Sequence, residues 1–181
     1  MRASNLLLIA LLSTGCGGIT AEAPITLKVG TDRAAARKEL RAHKFCFKED
    51  GGPQPNPDVF PRCSRAGAEW GESWVAVRYE AEKVVEVKRY ERYSDDARAV
   101  ERWNQLVGDR TKLHPDAPDA TAFIQTKALE PGTRSVKAWR LDPQTVVGAY
   151  LLTPTPPANA SVLEAIYKFE KTDSGIEVIE D

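Results

Sequence analysis

The sequence predicts an α+β fold: an antiparallel sheet with two helices packed on one face. Three observations predict it. Two segments, 31–43 and 94–113, open on capping residues and carry apolar residues at helical spacing. A series of short segments alternates apolar with polar residues and is separated by Gly, Pro and Asp turns. The composition, 42% hydrophobic and 28% charged over 181 residues, suits one ordinary domain with a real core.

Ile25-Thr26-Leu27-Lys28-Val29 alternates and reads as a short strand or an entry segment. Gly30-Thr31-Asp32 then starts the first helix, which runs to about His43. Thr31 or Asp32 can cap its free N–H groups, and Asp32 suits the positive end of the dipole. Ala36 and Leu40, with Ala35 and Ala42, make a narrow apolar face, while Arg33, Arg37, Lys38, Glu39 and Arg41 face water.

Phe45-Cys46-Phe47-Lys48 is the next expected strand. Gly51-Gly52-Pro53-Gln54-Pro55-Asn56-Pro57 can continue neither a helix nor an interior strand, so Arg62-Cys63-Ser64-Arg65 returns alongside. In Trp74-Val75-Ala76-Val77-Arg78-Tyr79, the residues Val75, Val77 and Tyr79 share one side. Glu80-Ala81-Glu82 is a hairpin turn into a strand over 84–93. There Val85 and Val87 face the core, and Glu86, Lys88, Tyr90 and Arg92 form a wet face, as antiparallel sheets allow.

Ser94 is the expected N-cap of the second helix, with Asp95 and Asp96 in its first turn. Ala97, Val100, Trp103 and Val107 recur at helical spacing, Leu106 widens the stripe, and the helix ends near Leu113, before Pro115 and Pro118. Strands are expected over 124–129, 136–141 and 145–152, with turns at Glu130-Pro131-Gly132 and Asp142-Pro143-Gln144. Pro154, Pro156 and Pro157 make a rigid connection. Residues 162–171 alternate with Leu163, Ala165, Tyr167 and Phe169 on one side, although a helix also fits the first half. A turn at Thr172-Asp173-Ser174-Gly175 leads into a last strand over 176–179.

The N-terminus carries an address. Met1-Arg2 is followed by an apolar run from Leu6 to Leu12, much shorter than the roughly 20 residues that span a bilayer. Ser13-Thr14-Gly15-Cys16, with Leu12 before it, resembles the lipobox of a bacterial lipoprotein signal peptide; Ser13 stands where that family usually has an aliphatic residue. The resemblance implies diacylglycerol on the Cys16 thiol, cleavage after Gly15 and acylation of the new N-terminus by a palmitate-type chain. Two or three acyl chains hold a protein on a membrane where one is reversible. Gly17 after the cysteine, in place of the retention signal Asp, implies an outer-membrane lipoprotein facing the periplasm. The alternative is an ordinary signal peptide cleaved near Ala21 or Ala23. On the lipoprotein reading the chain divides into a signal peptide, 1–15, a flexible tether, 16–24, and one α+β domain, 25–181, with candidate halves 25–93 and 94–181.

Export fits the cysteines. With Cys16 assigned to lipid, Cys46 and Cys63 are the pair an oxidising compartment would join, closing the Pro/Gly loop and stabilising the fold by about 3 kcal/mol. Two separate buried thiols are the alternative.

The two helix starts, Thr31-Asp32-Arg33-Ala34-Ala35-Ala36 and Ser94-Asp95-Asp96-Ala97-Arg98-Ala99, lie 63 residues apart. Each precedes about three expected strands, so a helix-strand-strand-strand unit can be read twice; capping chemistry alone also produces such a likeness. On this order of elements and on Val29-Gly30-Thr31-Asp32, the chain loosely resembles the SmpA/BamE-type outer-membrane lipoproteins and the β-lactamase-inhibitor-protein-like repeats. The hydrophobic residue that group places between Gly and Thr is missing, and Leu40-Arg41-Ala42 replaces its Leu-Gly helix end. No functional residue carries over.

Chemistry-bearing motifs are absent. Loss of Arg2 with the leader leaves 24 basic against 26 acidic residues, a formal balance of −2, and no like-charge run stands out, so no nucleic-acid partner is expected. His114-Pro115-Asp116 supplies two ligand types, short of the three or four a zinc site takes, and His43 sits at a helix end. No metal and no cofactor are expected. Asp95 and Asp96 belong to a helix start, Glu80 and Glu82 to a turn, and no nucleophile elbow, phosphate loop or dinucleotide fingerprint occurs. The expectation is a protein that is not an enzyme. Trp74, Arg78, Tyr90 and Trp139 are the candidate interaction surface, because aromatic and arginine side chains anchor interfaces; otherwise loops or the second helix cover them. The expected role is non-catalytic binding or scaffolding of another envelope protein. The alternatives are a small-ligand or glycan binder and an inhibitor of an envelope enzyme.

Overall fold

The computed structural model describes residues 24–47, 56–64, 67–153, 160–172 and 175–178. The signal peptide, Cys16, the 16–23 part of the tether, residues 51–55 of the Pro/Gly loop and the whole 154–157 connection lie outside them.

The elements are α1 (Arg33–Ala42), β1 (Asp58–Ser64), β2 (Gly67–Glu80), β3 (Lys83–Arg92), α2 (Asp96–Leu113), α3 (Thr121–Lys127), β4 (Thr133–Arg140), β5 (Thr145–Leu152), β6 (Ser161–Thr172) and β7 (Gly175–Val178). Six strands pair in the order β1-β2-β3-β6-β5-β4, all antiparallel, and β7 pairs with the last residues of β6. This is an α+β fold with α1 and α2 on one face of the sheet. Duplication is not established: the second run of elements carries α3 and β7, which have no counterpart among the described residues of the first.

Register assigns the faces. Val75, Val77, Val87, Val147, Ala149, Val162 and Ile166 lie on the face under the helices and join Ala36, Leu40, Ala99 and Leu106 in one core. The reverse face of β4, β5 and β6 packs Ala138, Val146, Tyr150, Leu163 and Tyr167 against Ile124 of α3. Both faces of β6 are therefore buried, which explains its nearly continuous apolar run. The 162–171 segment is a strand throughout.

Three local expectations change, and the choice left open for 25–29 is resolved. The 124–129 segment is not a strand; its first residues complete α3. Asp119 Oδ1 accepts the Thr121 N–H at 2.8 Å and orders the entry, while Ile124 drops onto the sheet. Seven residues are too short to show a helical period. Asp95 rather than Ser94 caps α2, accepting the Arg98 N–H at 2.9 Å. Segment 25–29 is no strand of the sheet; it crosses the helix-side face with Ile25 and Leu27 buried. Of the 45–48 strand only an isolated bridge, Phe45 to Arg62, forms among the described residues.

The β2–β3 hairpin turns on Ala81 and Glu82, both at positive φ (45° and 60°), the two-residue turn whose twist suits paired strands. Neither residue favours that conformation. Arg33 holds the turn, its N–H donating to the Glu82 carbonyl at 3.0 Å and its Nη1 to Glu82 Oε1 at 3.0 Å.

Candidate functional site

The alternation of β3 puts Glu86, Lys88, Tyr90 and Arg92 on the face away from α1 and α2. Trp74 of β2 stands directly opposite Tyr90, and Arg78 opposite Glu86. The Trp74 and Tyr90 rings stack with centroids 5.0 Å apart and planes 12° apart, and the Arg92 guanidinium lies 4.7 Å from the Trp74 ring centre. Beside this stack runs a charge ladder. Arg78 Nε meets Glu86 Oε2 at 3.0 Å, and Lys88 Nζ meets Glu86 at 2.7 Å and Glu130 at 2.9 Å. Burial pulls the Lys88 ammonium down, but Glu86 and Glu130 outweigh it and its pKa ends above the ordinary value. Burial, then the Glu130 charge, raises the Tyr90 hydroxyl, so it stays protonated. Among the described residues α3 covers only the β4–β6 half of this face; the β1–β3 half carries no helix, and Trp74, Ala76, Arg78 and Tyr90 are half-buried.

Three of the four candidate surface residues, Trp74, Arg78 and Tyr90, are therefore neighbours. Trp139 is not. It lies on the opposite face, 3% exposed, in the core under the helices. Strand β4 is buried on both faces here, since Ala138 next to it is also buried, so alternation could not assign its sides. Trp103 packs partly buried against the same core and its indole N–H donates to the Ala149 carbonyl at 3.0 Å. Cys46 and Cys63 form a disulfide, with Cα atoms 5.0 Å apart.

Sequence reasoning missed a second constellation. Arg89 and Glu91 of β3, Glu164 of β6, and Arg102 and Arg110 of α2 are all buried between the sheet and α2. Arg89 faces Glu164 across the β3–β6 ladder, with Nη2 2.9 Å from Glu164 and 3.1 Å from Glu91. Arg102 grips Glu91 with two nitrogens at 2.7 and 3.0 Å, and Tyr93 Oη donates to the same carboxylate at 2.6 Å. Arg110 Nε donates to Glu164 at 2.6 Å, and its Nη2 to the Ile25 carbonyl at 2.7 Å; the Ile25 N–H donates to Glu164 at 3.0 Å. The signal was present: Val85, Val87, Arg89 and Glu91 share one parity in β3, continued by Tyr93 just beyond it, which places two charges on the core side.

Among the described residues no group of three or more His, Cys, Asp or Glu side chains is arranged to hold a metal, and no helix is long and apolar enough to cross a membrane. No family model matches the chain, and neither a curated protein nor a solved structure matches it.

Proposed function

We propose that the chain is a lipid-anchored envelope protein that binds another envelope protein without catalysis, through the β1–β3 half of the sheet face turned away from α1 and α2. One observation carries this reading: the half-buried Tyr90 and Trp74 stacked with the exposed Arg92, on a half-sheet that no described helix covers. Tryptophan, tyrosine and arginine are the side chains that most often dominate binding energy. Around the stack, Arg78, Lys88 and Arg92 outnumber Glu86 and Glu130 by one charge. The partner surface it fits offers a carboxylate beside an apolar patch. The Cys16 anchor rests on the sequence resemblance, and intact mass of the membrane-extracted protein tests it: a mature chain starting at Cys16 with acyl mass is expected, and a later start or no acyl mass rejects it.

Site-directed photo-cross-linking in cells tests the surface. A photoreactive residue at Ala76, on this face, is expected to capture one partner, whereas the same residue at Lys38, exposed on α1, captures none. Trp74→Ala should abolish the cross-link and leave the domain folded, costing about 1 kcal/mol for the stacked pair and roughly 1–2 kcal/mol more for the half-buried ring; loss of a binding anchor costs about 2 kcal/mol or more, roughly thirtyfold in Kd. Equal capture at both positions, or capture unchanged by Trp74→Ala, rejects the surface. Glycan binding is the second reading, because the stacked rings present an aromatic face; it requires Trp fluorescence to shift with cell-wall fragments.

A further inference from the structure

A cavity of about 190 Å³ opens on the helix-side face, bounded by residues 24–27, the end of α1, the segment after it and strands β1–β3. Its inner wall is apolar, from the buried side chains of Leu27, Leu40, Phe45 and Val75. Two guanidiniums complete it, Arg62 and Arg89. The exposed residues Thr26 and His43 mark its mouth, with Glu39, whose Oε1 accepts from the Thr26 hydroxyl at 3.2 Å.

The charged groups that line this space are Arg62, Arg89 and the rim carboxylate Glu39, and Arg89 also meets Glu91 and Glu164 behind the wall. Burial, and then the nearby Arg89 charge, pulls the Arg62 guanidinium below its ordinary pKa, against a smaller opposing pull from Glu91. It remains charged, as arginine does at any physiological pH. Arg62 is also oriented: its guanidinium lies 4.0 Å from the Phe45 ring centre and donates to the His43 carbonyl at 3.1 Å. The adjoining Cys46–Cys63 bond ties the segments that carry Phe45 and Arg62. A planar guanidinium fork held this way matches a carboxylate, while an apolar cavity of about 150 Å³ accommodates a benzene ring.

We propose that this cavity binds a small apolar monocarboxylate, its carboxylate directed to Arg62 and Arg89 and its hydrocarbon body against Leu27, Leu40, Phe45 and Val75. The site lies on the sheet face opposite the Trp74 stack, so it stands independently of the partner surface. Glu39 at the rim disfavours a second negative charge and so excludes dicarboxylates.

The test is titration of the ¹⁵N-labelled full chain with benzoate, followed by amide chemical shifts, beside benzyl alcohol as the neutral control. Benzoate is expected to shift the amides of Leu27, Leu40, Phe45 and Arg62 together and to bind about tenfold more tightly than the alcohol. Arg62→Gln should weaken benzoate by about tenfold and leave the alcohol unchanged. Thr26→Trp, an exposed rim substitution that does not depend on the core, should block both. Equal affinity for acid and alcohol, shifts away from these residues, no binding of benzoate, or benzoate affinity unchanged in Thr26→Trp overturns the proposal.

Discussion

Replacing Glu164 with Gln is expected to lower the unfolding free energy by about 3–5 kcal/mol, the cost of removing one partner from a buried ion pair. Glu164 is 1% exposed at the centre of the sheet. It accepts from Arg110 at 2.6 Å and from the Ile25 N–H at 3.0 Å, and it faces Arg89 at 2.9 Å. The neutral amide leaves Arg89, Arg102 and Arg110 with Glu91 as the one carboxylate in their cluster, and its NH₂ points a donor at groups that already donate. Stability of a domain this size is typically 5–15 kcal/mol, so much of it would go. Urea unfolding followed by circular dichroism measures the loss; a loss below about 1 kcal/mol would show that the cluster carries little net stability. Adding Arg110→Met should restore part of it, because the uncompensated charge, rather than the lost attraction, sets most of the cost.

The same cluster makes stability depend on pH. Burial alone would raise the Glu91 pKa, but Arg102 and Arg89, with the Tyr93 hydroxyl, outweigh it and hold the carboxyl below the ordinary value. A depressed carboxyl contributes stability that is complete above its unfolded pKa, about 4.3, and lost as pH falls through its folded value. Stability should therefore fall below about pH 4, and Glu91→Gln should be less stable at pH 7 with a flatter acid slope.

The second large effect is loss of the disulfide. Cys46→Ser with Cys63→Ser is expected to lower stability by about 3 kcal/mol, since the bond spans a sequence separation of 17. The folded structure does not need the bond to keep its local geometry. The Cys46 N–H donates to the Pro61 carbonyl and the Cys63 N–H to the Lys44 carbonyl, both at 2.9 Å. The cost therefore falls on the unfolded chain, which gains freedom. Native-like circular dichroism with a lowered urea midpoint is the expected signature; an unchanged midpoint would contradict it.

The elements easiest to read in the sequence were those with one wet face. Val85 and Val87 against Lys88, Tyr90 and Arg92 oriented β3 correctly, and the turn was legible at Glu80-Ala81-Glu82, but the pairing of Trp74 with Tyr90 depends on a register shift between Arg78 and Tyr79 that the turn alone does not set. Where both faces are buried the alternation loses meaning, which is why Trp139 was placed on the wrong side. The buried line of α2 differs from the expected stripe of Ala97, Val100, Trp103 and Val107. Polarity assigns Arg102 and Arg110 to water, yet they, with Ala99 and Leu106, form the buried line of the helix, while Ala97 is exposed. The cavity draws its wall from residues 24–27, 39, 40, 43, 45, 62, 75 and 89, a set that only the folded topology brings together.

The course of residues 24–29 bears on how the domain would carry a load. A pull on the chain ahead of Pro24 meets no fraying edge strand that could be peeled one hydrogen bond at a time. It reaches Ile25, whose amide and carbonyl are clasped by Glu164 and Arg110 on the two innermost layers, the sheet and α2. Tension is thus delivered to the middle of the molecule and shared between β6 and α2 at once. A pull from this end must break the clasp of Glu164 and Arg110 on Ile25 before residues 24–29 leave the sheet, so the side chains that resist tension there also belong to the buried ion cluster.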